Sequence, residues 1–337
     1  MKKRLIALFM TLCVAAALVV PAAAGEMDTI EKKERIENVF VEDRTEGLET
    51  VKVIDRAEKI ENGDSFFAGD RANYDSIRRE LVAVGVEEEI VSDMEEWYLL
   101  EYARSPEVIY SQLYCEVDED GTITPVSKET AQVRAATESY PYSSQTAYVR
   151  LDYLVNRCGA NGLYGFRTEV NWLTAPTFLR GHDYIGSSSS LMIVQNTTRT
   201  GWVKYTKNRH GTTGEIISSQ PDITVNITDK KNANDGGYYY GSAGGFDLPK
   251  DRYHQGGTPV ETYTNIRAAY YYQAKVINYT QPQNLGITAS YLHQIYGITV
   301  TPSLVIDTGG FSGSIGVSLA TGYQRMVNIS KIFTYRL

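Results

Sequence analysis

Cysteine is scarce in this chain: three in 337 residues, with Cys13 lying inside an apolar N-terminal run. That leaves Cys115 and Cys158, enough for one bridge and far below the density of a disulfide scaffold. A Cys115–Cys158 disulfide would stabilise the chain by up to about 4 kcal/mol through loop-closure entropy, and two buried thiols are the equal alternative. Histidine is equally sparse: His182, His210, His254 and His293 stand in separate segments, none at metal-ligand spacing to another. The HExxH and CxxC patterns are absent, which removes the common zinc and dithiol chemistries. A nucleophile elbow is missing too, because Gly241-Ser242-Ala243-Gly244-Gly245 and Gly310-Phe311-Ser312-Gly313 have the wrong spacing. Glycine-rich loops do not join a strand to a helix, so no phosphate cradle and no cofactor is expected.

What remains for catalysis is thin. Gly181-His182-Asp183 and the stretch from Asp247 to His254 are the only loops that place a histidine near acids, and a secreted hydrolase would have to be built there. A non-enzymatic protein is the preferred expectation.

Long hydrophobic runs are also lacking, apart from one. Lys2, Lys3 and Arg4 precede the apolar stretch Leu5 to Val20, and Pro21 leads into Ala22, Ala23, Ala24 and Gly25. Charged, apolar and small-residue regions in that order are the grammar of a signal peptide over residues 1–24, with cleavage expected after Ala24. The run is short for a spanning helix, which needs about 20 apolar residues. The expectation is a secreted, extracellular bacterial protein without a membrane anchor.

Charge is unevenly divided. Gly25 to Glu138 carries 13 Lys and Arg against 30 Asp and Glu, whereas Ser139 to Leu337 carries 17 against 11. An acidic first half and a basic second half suggest an intramolecular contact between them. Residues 25–64 are charged in both signs and poor in apolar residues, so a flexible segment is expected. Residues 65–128 read as an acidic, mainly helical region: Asp75 to Val84 and Glu87 to Arg104 have apolar residues at three-to-four spacing, with Ser92 and Glu95 placed as a capping box. Cys115 to Thr124 reads as a hairpin about Asp120-Gly121. Residues 129–146, with Ala135-Ala136, Ser139, Pro141 and Ser143-Ser144, read as a linker.

Three stretches of this half, Leu81-Val82-Ala83-Val84-Gly85-Val86, Tyr114 to Gly121 and Pro125-Val126-Ser127-Lys128-Glu129, resemble the N-terminal region of uncharacterised secreted proteins of Gram-positive gut bacteria. The resemblance covers about a quarter of the chain and implies no activity.

From residue 147 to 337 the hydrophobic period becomes two. Tyr164, Phe166, Thr168, Val170 and Trp172 alternate with Gly165, Arg167, Glu169 and Asn171, and similar alternation recurs to the C-terminus between turn clusters. An antiparallel β-sandwich or elongated β fold is therefore expected for this half. Two tyrosine triplets, Tyr238-Tyr239-Tyr240 and Tyr270-Tyr271-Tyr272, put rings on both faces of a strand, so either at least one ring of each faces solvent and could bind a glycan, peptide or cell surface, or both triplets lie in strands covered on both faces. Lys204, Lys207 and Arg209 about Tyr205, together with Lys230-Lys231, form a modest basic patch suited to an anionic surface and too small for a nucleic-acid footprint. Tyr263 to Tyr279 and the hairpin Ser303 to Ala320 also allow a pore-forming reading, in which the acidic leader is an inhibitory pro-segment and the partner is a membrane.

Overall fold

A computed structural model describes residues 50–55, 71–83, 85–105, 107–120, 122–137, 146–158, 162–174, 176, 180–189, 191–235, 238–277, 283–294, 304–307, 314–317, 323–325 and 329–335. The chain divides into two compact units, Met1–Glu37 and Asn38–Leu337, and every described residue lies in the second. The expected signal peptide therefore lies outside the described residues. The architecture is mainly antiparallel β with a small helical layer, as the hydrophobic periods anticipated.

In chain order the elements are β1 (Thr50–Asp55), α1 (Arg71–Ala83), α2 (Glu88–Asp93), α3 (Glu96–Arg104), β2 (Glu107–Asp118), β3 (Ile123–Val126), α4 (Lys128–Thr137), β4 (Thr146–Arg157), β5 (Leu163–Trp172), β6 (His182–Ser189), β7 (Met192–His210), β8 (Ile216–Asn226), β9 (Asp229–Asp235), β10 (Tyr238–Asp247), β11 (Arg252–Tyr253), β12 (Pro259–Val276), β13 (Gln283–Gln294), β14 (Leu304–Asp307), β15 (Ser314–Val317), β16 (Tyr323–Arg325) and β17 (Ile329–Tyr335). One sheet runs β1-β2-β4-β5-β12-β7-β8, with β3 on β2 and β11 on β12. The other runs β15-β14-β9-β10-β6-β13-β16, with β17 on β13.

Alternation sorts the first sheet's side chains into two faces. Leu113, Cys115, Val149, Leu151, Val155, Phe166, Val170, Tyr270 and Tyr272 pack with Ile185, Phe246, Ile287 and Tyr291 of the second sheet in one apolar core. The other face, through Val108, Tyr110, Leu154 and Tyr271, packs with Ile77, Leu81, Ile90, Val91, Tyr98, Leu99 and Tyr102 of the helices. Helices, central sheet and second sheet thus stack as three layers, and each fully buried large apolar side chain contributes about 1.5–3 kcal/mol.

Several expectations are corrected by this arrangement. Thr50–Asp55 falls in the segment expected to be flexible, yet it pairs with β2 over six residues because Val51 and Val53 supply a short strand period. The expected linker, 129–146, contains α4, and β2 before it pairs with β4 after it from Val108↔Asn156 to Asp118↔Thr146. β2 and β4, on either side of the expected linker, therefore belong to one sheet. The Ser92–Glu95 capping box does not form: the Ser92 hydroxyl donates to Glu89 O at 2.7 Å, and Glu95 is drawn to the sheet instead. His182, Asp183, Gly244 and Gly245 lie in strands, not loops. A Cβ on Gly244 would sit 2.5 Å from Tyr270 Cδ2, so glycine here makes room for a ring of the facing sheet.

Candidate functional site

The first electrostatic feature is where the acidic half meets the basic one. On the helix-facing side of the central sheet, Arg150, Asp152, Arg167 and Glu169 are buried, at 2, 0, 1 and 1 % exposure. Arg167 pairs with Glu169 at 3.1 Å in its own strand and with Glu95 of the helical layer at 2.8 Å. Trp202 Nε1 donates to the same Glu95 at 2.8 Å. Asp93 takes Lys204 at 2.7 Å and the Arg267 guanidinium, while Glu89 accepts from Asn171 at 2.8 Å. The intramolecular contact expected from the charge split is therefore present, residue by residue.

Burial and ion pairing compete over the protonation tendencies of this layer. Burial pushes the Glu169 carboxyl up to about 7, against the pull of Arg167. Asp152, wholly buried, is likewise raised by burial, although Arg150 at 2.6 Å and hydrogen bonds from Tyr110 and Gln112 oppose it. At Glu95 burial also pushes up, but Arg167, the backbone and Trp202 outweigh it and leave the carboxyl below its ordinary value. Lys128 and Gln112 do the same for Glu87.

The tyrosine triplet of β12 has a different role from the one expected. Tyr270, Tyr271 and Tyr272 are 1, 3 and 0 % exposed, because the central sheet is covered on both faces. Tyr270 and Tyr272 reach the second sheet, where their hydroxyls meet Ser242 Oγ at 2.8 Å and Ser187 O at 2.8 Å. Tyr271 points the other way, donating to Glu101 at 2.5 Å and packing edge-on against Trp97 at 4.8 Å between centroids. The triplet pins three layers together and is not a solvent-facing binding surface. Tyr238 and Tyr239 belong to β10 with side chains outside the described residues, and Tyr240 is half-buried.

Cys115 and Cys158 are both free thiols. Cys115 sits in the core between sheets, whereas Cys158 lies past the end of β4 near Asn156 and Gly165. Burial pushes both thiols above their ordinary range. His182 joins the acid that the sequence placed in the other candidate loop: its Nδ1 lies 2.8 Å from Asp247 and its Nε2 3.3 Å from Asp229. Both ring nitrogens are thus engaged by carboxylates. His254 caps an exposed turn through its backbone, accepting from Gly257 N at 3.1 Å. Among the described residues no group of three or more His, Cys, Asp or Glu could hold a metal ion, and no helix is long and apolar enough to cross a membrane.

The surface best suited to a ligand lies at the far end of β7. Period two divides the basic patch: Lys204 turns to the helices, while Tyr205, Lys207 and Arg209 share the opposite face. A register shift in β12 between Thr264 and Arg267, with Asn265 at φ 51, rephases that strand so that Glu261 and Tyr263 join them. Tyr263 then stands opposite Lys207, Glu261 opposite Arg209, and Arg252 of β11 opposite Glu261. Glu261 receives Lys207 at 2.9 Å, Arg252 at 3.2 Å and Arg209 at 3.7 Å. Hydrogen bonding from Lys207 and the nearby cations holds its carboxyl below the ordinary range. Two tyrosines flank the cations, Tyr205 and Tyr263, edge-to-face with centroids 5.4 Å apart. Three cations share one carboxylate, and the Arg209 and Arg252 side chains are 65 and 68 % exposed. Asp251 nearby in sequence pairs with Arg180 at 2.7 Å, and the Thr213 hydroxyl donates to Glu215.

Sequence reasoning singled out Lys207, Arg209 and Tyr205 but missed Arg252, Glu261 and Tyr263. The available signal was the unusual length of the Tyr263 strand, since a strand that long must carry residues past the core.

No known protein family matches this chain, and no curated protein does. Among solved structures, the collagen-binding domain of a Staphylococcus aureus adhesin is similar at 13 % identity, covering 48 % of this chain and 85 % of that one, with a TM-score of 0.19. The T6 backbone pilin of serotype M6 Streptococcus pyogenes is similar at 10 % identity, covering 66 % and 73 %, with a TM-score of 0.23. The Clostridium perfringens NetB toxin in its membrane-inserted form is similar at 10 % identity, covering 66 % and 100 %, with a TM-score of 0.18. Scores this low carry no argument about activity, and the functional reading rests on the chain's own residues.

Proposed function

We propose that this chain is an exported, non-enzymatic β-rich protein that binds an anionic surface ligand through the Tyr205–Tyr263 face of β7, β11 and β12. The observation that carries the reading is the sharing of Glu261 by Lys207, Arg209 and Arg252, which leaves positive charge in excess on an exposed face with aromatic area beside it. On the covered face of the same sheet, Arg167, Lys204 and Arg267 are matched by acids of the helical layer. Export follows from the leader at residues 1–24 and gives such a face access to cell surfaces.

The test is retention on immobilised polyanions at low and high salt. Binding that falls with salt and is lost in the Arg209→Gln, Arg252→Gln double variant is expected. Absence of retention on every polyanion would remove the reading. The pore-forming alternative has less support: β14 and β15, the strands of its hairpin, are four residues each, against about nine to eleven for a transmembrane strand. Dye release from liposomes by protein trimmed of its acidic leader would reinstate it.

A further inference from the structure

Resting on that reading, we infer that the ligand of the Tyr205–Tyr263 face is an acidic polysaccharide chain, bearing carboxylate or sulfate groups on successive sugar rings. The cations stand on two strands either side of Glu261 and meet at its carboxylate. Lys207 and Arg209 are two residues apart on one face of β7, a spacing of about 7 Å. Arg252 lies two strands away across β12, its Cα about 10 Å from that of Arg209 at the usual strand separation, and the three side chains converge on Glu261 between them. The two guanidinium groups, each mostly exposed, reach solvent from strands on opposite sides of Glu261, so an extended chain that repeats its charge can meet both on an open sheet face. Two of the three cations are guanidinium groups, whose planar fork takes carboxylate or sulfate oxygens in pairs.

The tyrosines supply what a bare polyanion would not use. Tyr205 and Tyr263 are half-buried against the core, so their rings are fixed rather than mobile, and each offers an apolar face with a hydroxyl at its tip. That combination fits a sugar ring, which has a C–H face and a hydroxyl rim. Ser218 and Gln220 of β8 stand opposite Arg209 and Lys207 and are exposed, adding hydrogen-bonding groups along the path of an extended chain.

The experiment compares polygalacturonate and chondroitin sulfate with inorganic polyphosphate, which has charge but no sugar ring, and with phosphatidylserine vesicles, all against the full chain. The expected result is tighter binding to the two polysaccharides than to polyphosphate or vesicles. The Arg209→Gln, Arg252→Gln double variant should lose at least about tenfold in affinity for every polyanion. Tyr205→Leu should lose about threefold to tenfold for the polysaccharides and nothing for polyphosphate. Tyr263→Leu serves as the second variant if Tyr205→Leu fails to give a native thermal transition, and Arg79→Gln, exposed on α1 in the helical layer, is the control. Polyphosphate or vesicle binding that equals or exceeds polysaccharide binding, or an equal response of both ligand classes to the tyrosine variants, overturns the sugar-chain inference and leaves the anionic reading standing. Binding to none of the four overturns both.

Discussion

Strand β7 passes through two environments, and they treat the same residue type in opposite ways. At its middle, Lys204 meets Asp93 and lies over the Trp202 ring at 4.4 Å, closed in by the helical layer. Six residues and fewer further on, Lys207, Arg209 and His210 have no helix among their partners, and the two long cations share Glu261 with Arg252. The covered end spends its charges on holding the molecule together. The open end keeps charge in excess, and that is why function is placed there.

The largest effect should come from breaking the covered end. Arg167→Leu leaves Glu95 and Glu169 without their buried cation and should destabilise by about 3–5 kcal/mol. Urea unfolding measures it, and a loss under about 1 kcal/mol would show that the charged layer is not what fastens the helices. Next comes the tyrosine pin. Tyr272→Phe removes the donor to buried Ser187 O and should cost about 1–3 kcal/mol, with Tyr270→Phe similar through Ser242.

The covered end should also shape the pH dependence of stability. Glu87 and Glu95 sit below their ordinary 4.5, so their contribution is present above that value and is lost as pH falls below it through their lowered folded values. Glu169 acts in the other direction: raised to about 7 in the folded chain, it keeps its proton while the unfolded chain gives it up, so stability falls as pH rises from 4.5 to about 7. Glu169→Gln should flatten that upper limb, and an unchanged pH profile between 4.5 and 7 would contradict the assignment. The smallest stability effect belongs to the open end. Arg209→Gln and Arg252→Gln, on exposed side chains, should each stay within about 0.5 kcal/mol of the parent while weakening polyanion binding.

The period-two run from Tyr164 to Trp172 announced β5, and the hairpin about Asp120 formed as its turn chemistry indicated, with Thr122 N donating to Asp120 at 2.9 Å. The charge division was legible too, because it needs only counting. Which acids would meet which bases was not, since Glu95 and Arg167 are far apart in sequence and come together only when a helix docks on a sheet. The burial of the Tyr270–Tyr272 triplet was left open for a related reason: alternation says that rings point both ways but not whether both faces are covered. Glu261 and Tyr263 were hidden by the shift at Asn265, which changes their face by one residue in a way that local pattern does not record.

The difference between the two ends can be read in one experiment, arginine-specific dicarbonyl labelling followed by peptide mass analysis, with and without an acidic polysaccharide. The prediction is rapid modification of Arg209 and Arg252 that the polysaccharide suppresses, and no modification of Arg150 or Arg167 in either state. Labelling of Arg209 and Arg252 that is indifferent to polysaccharide, or ready labelling of Arg167, would contradict the division into a covered, structural end and an open, ligand-binding one.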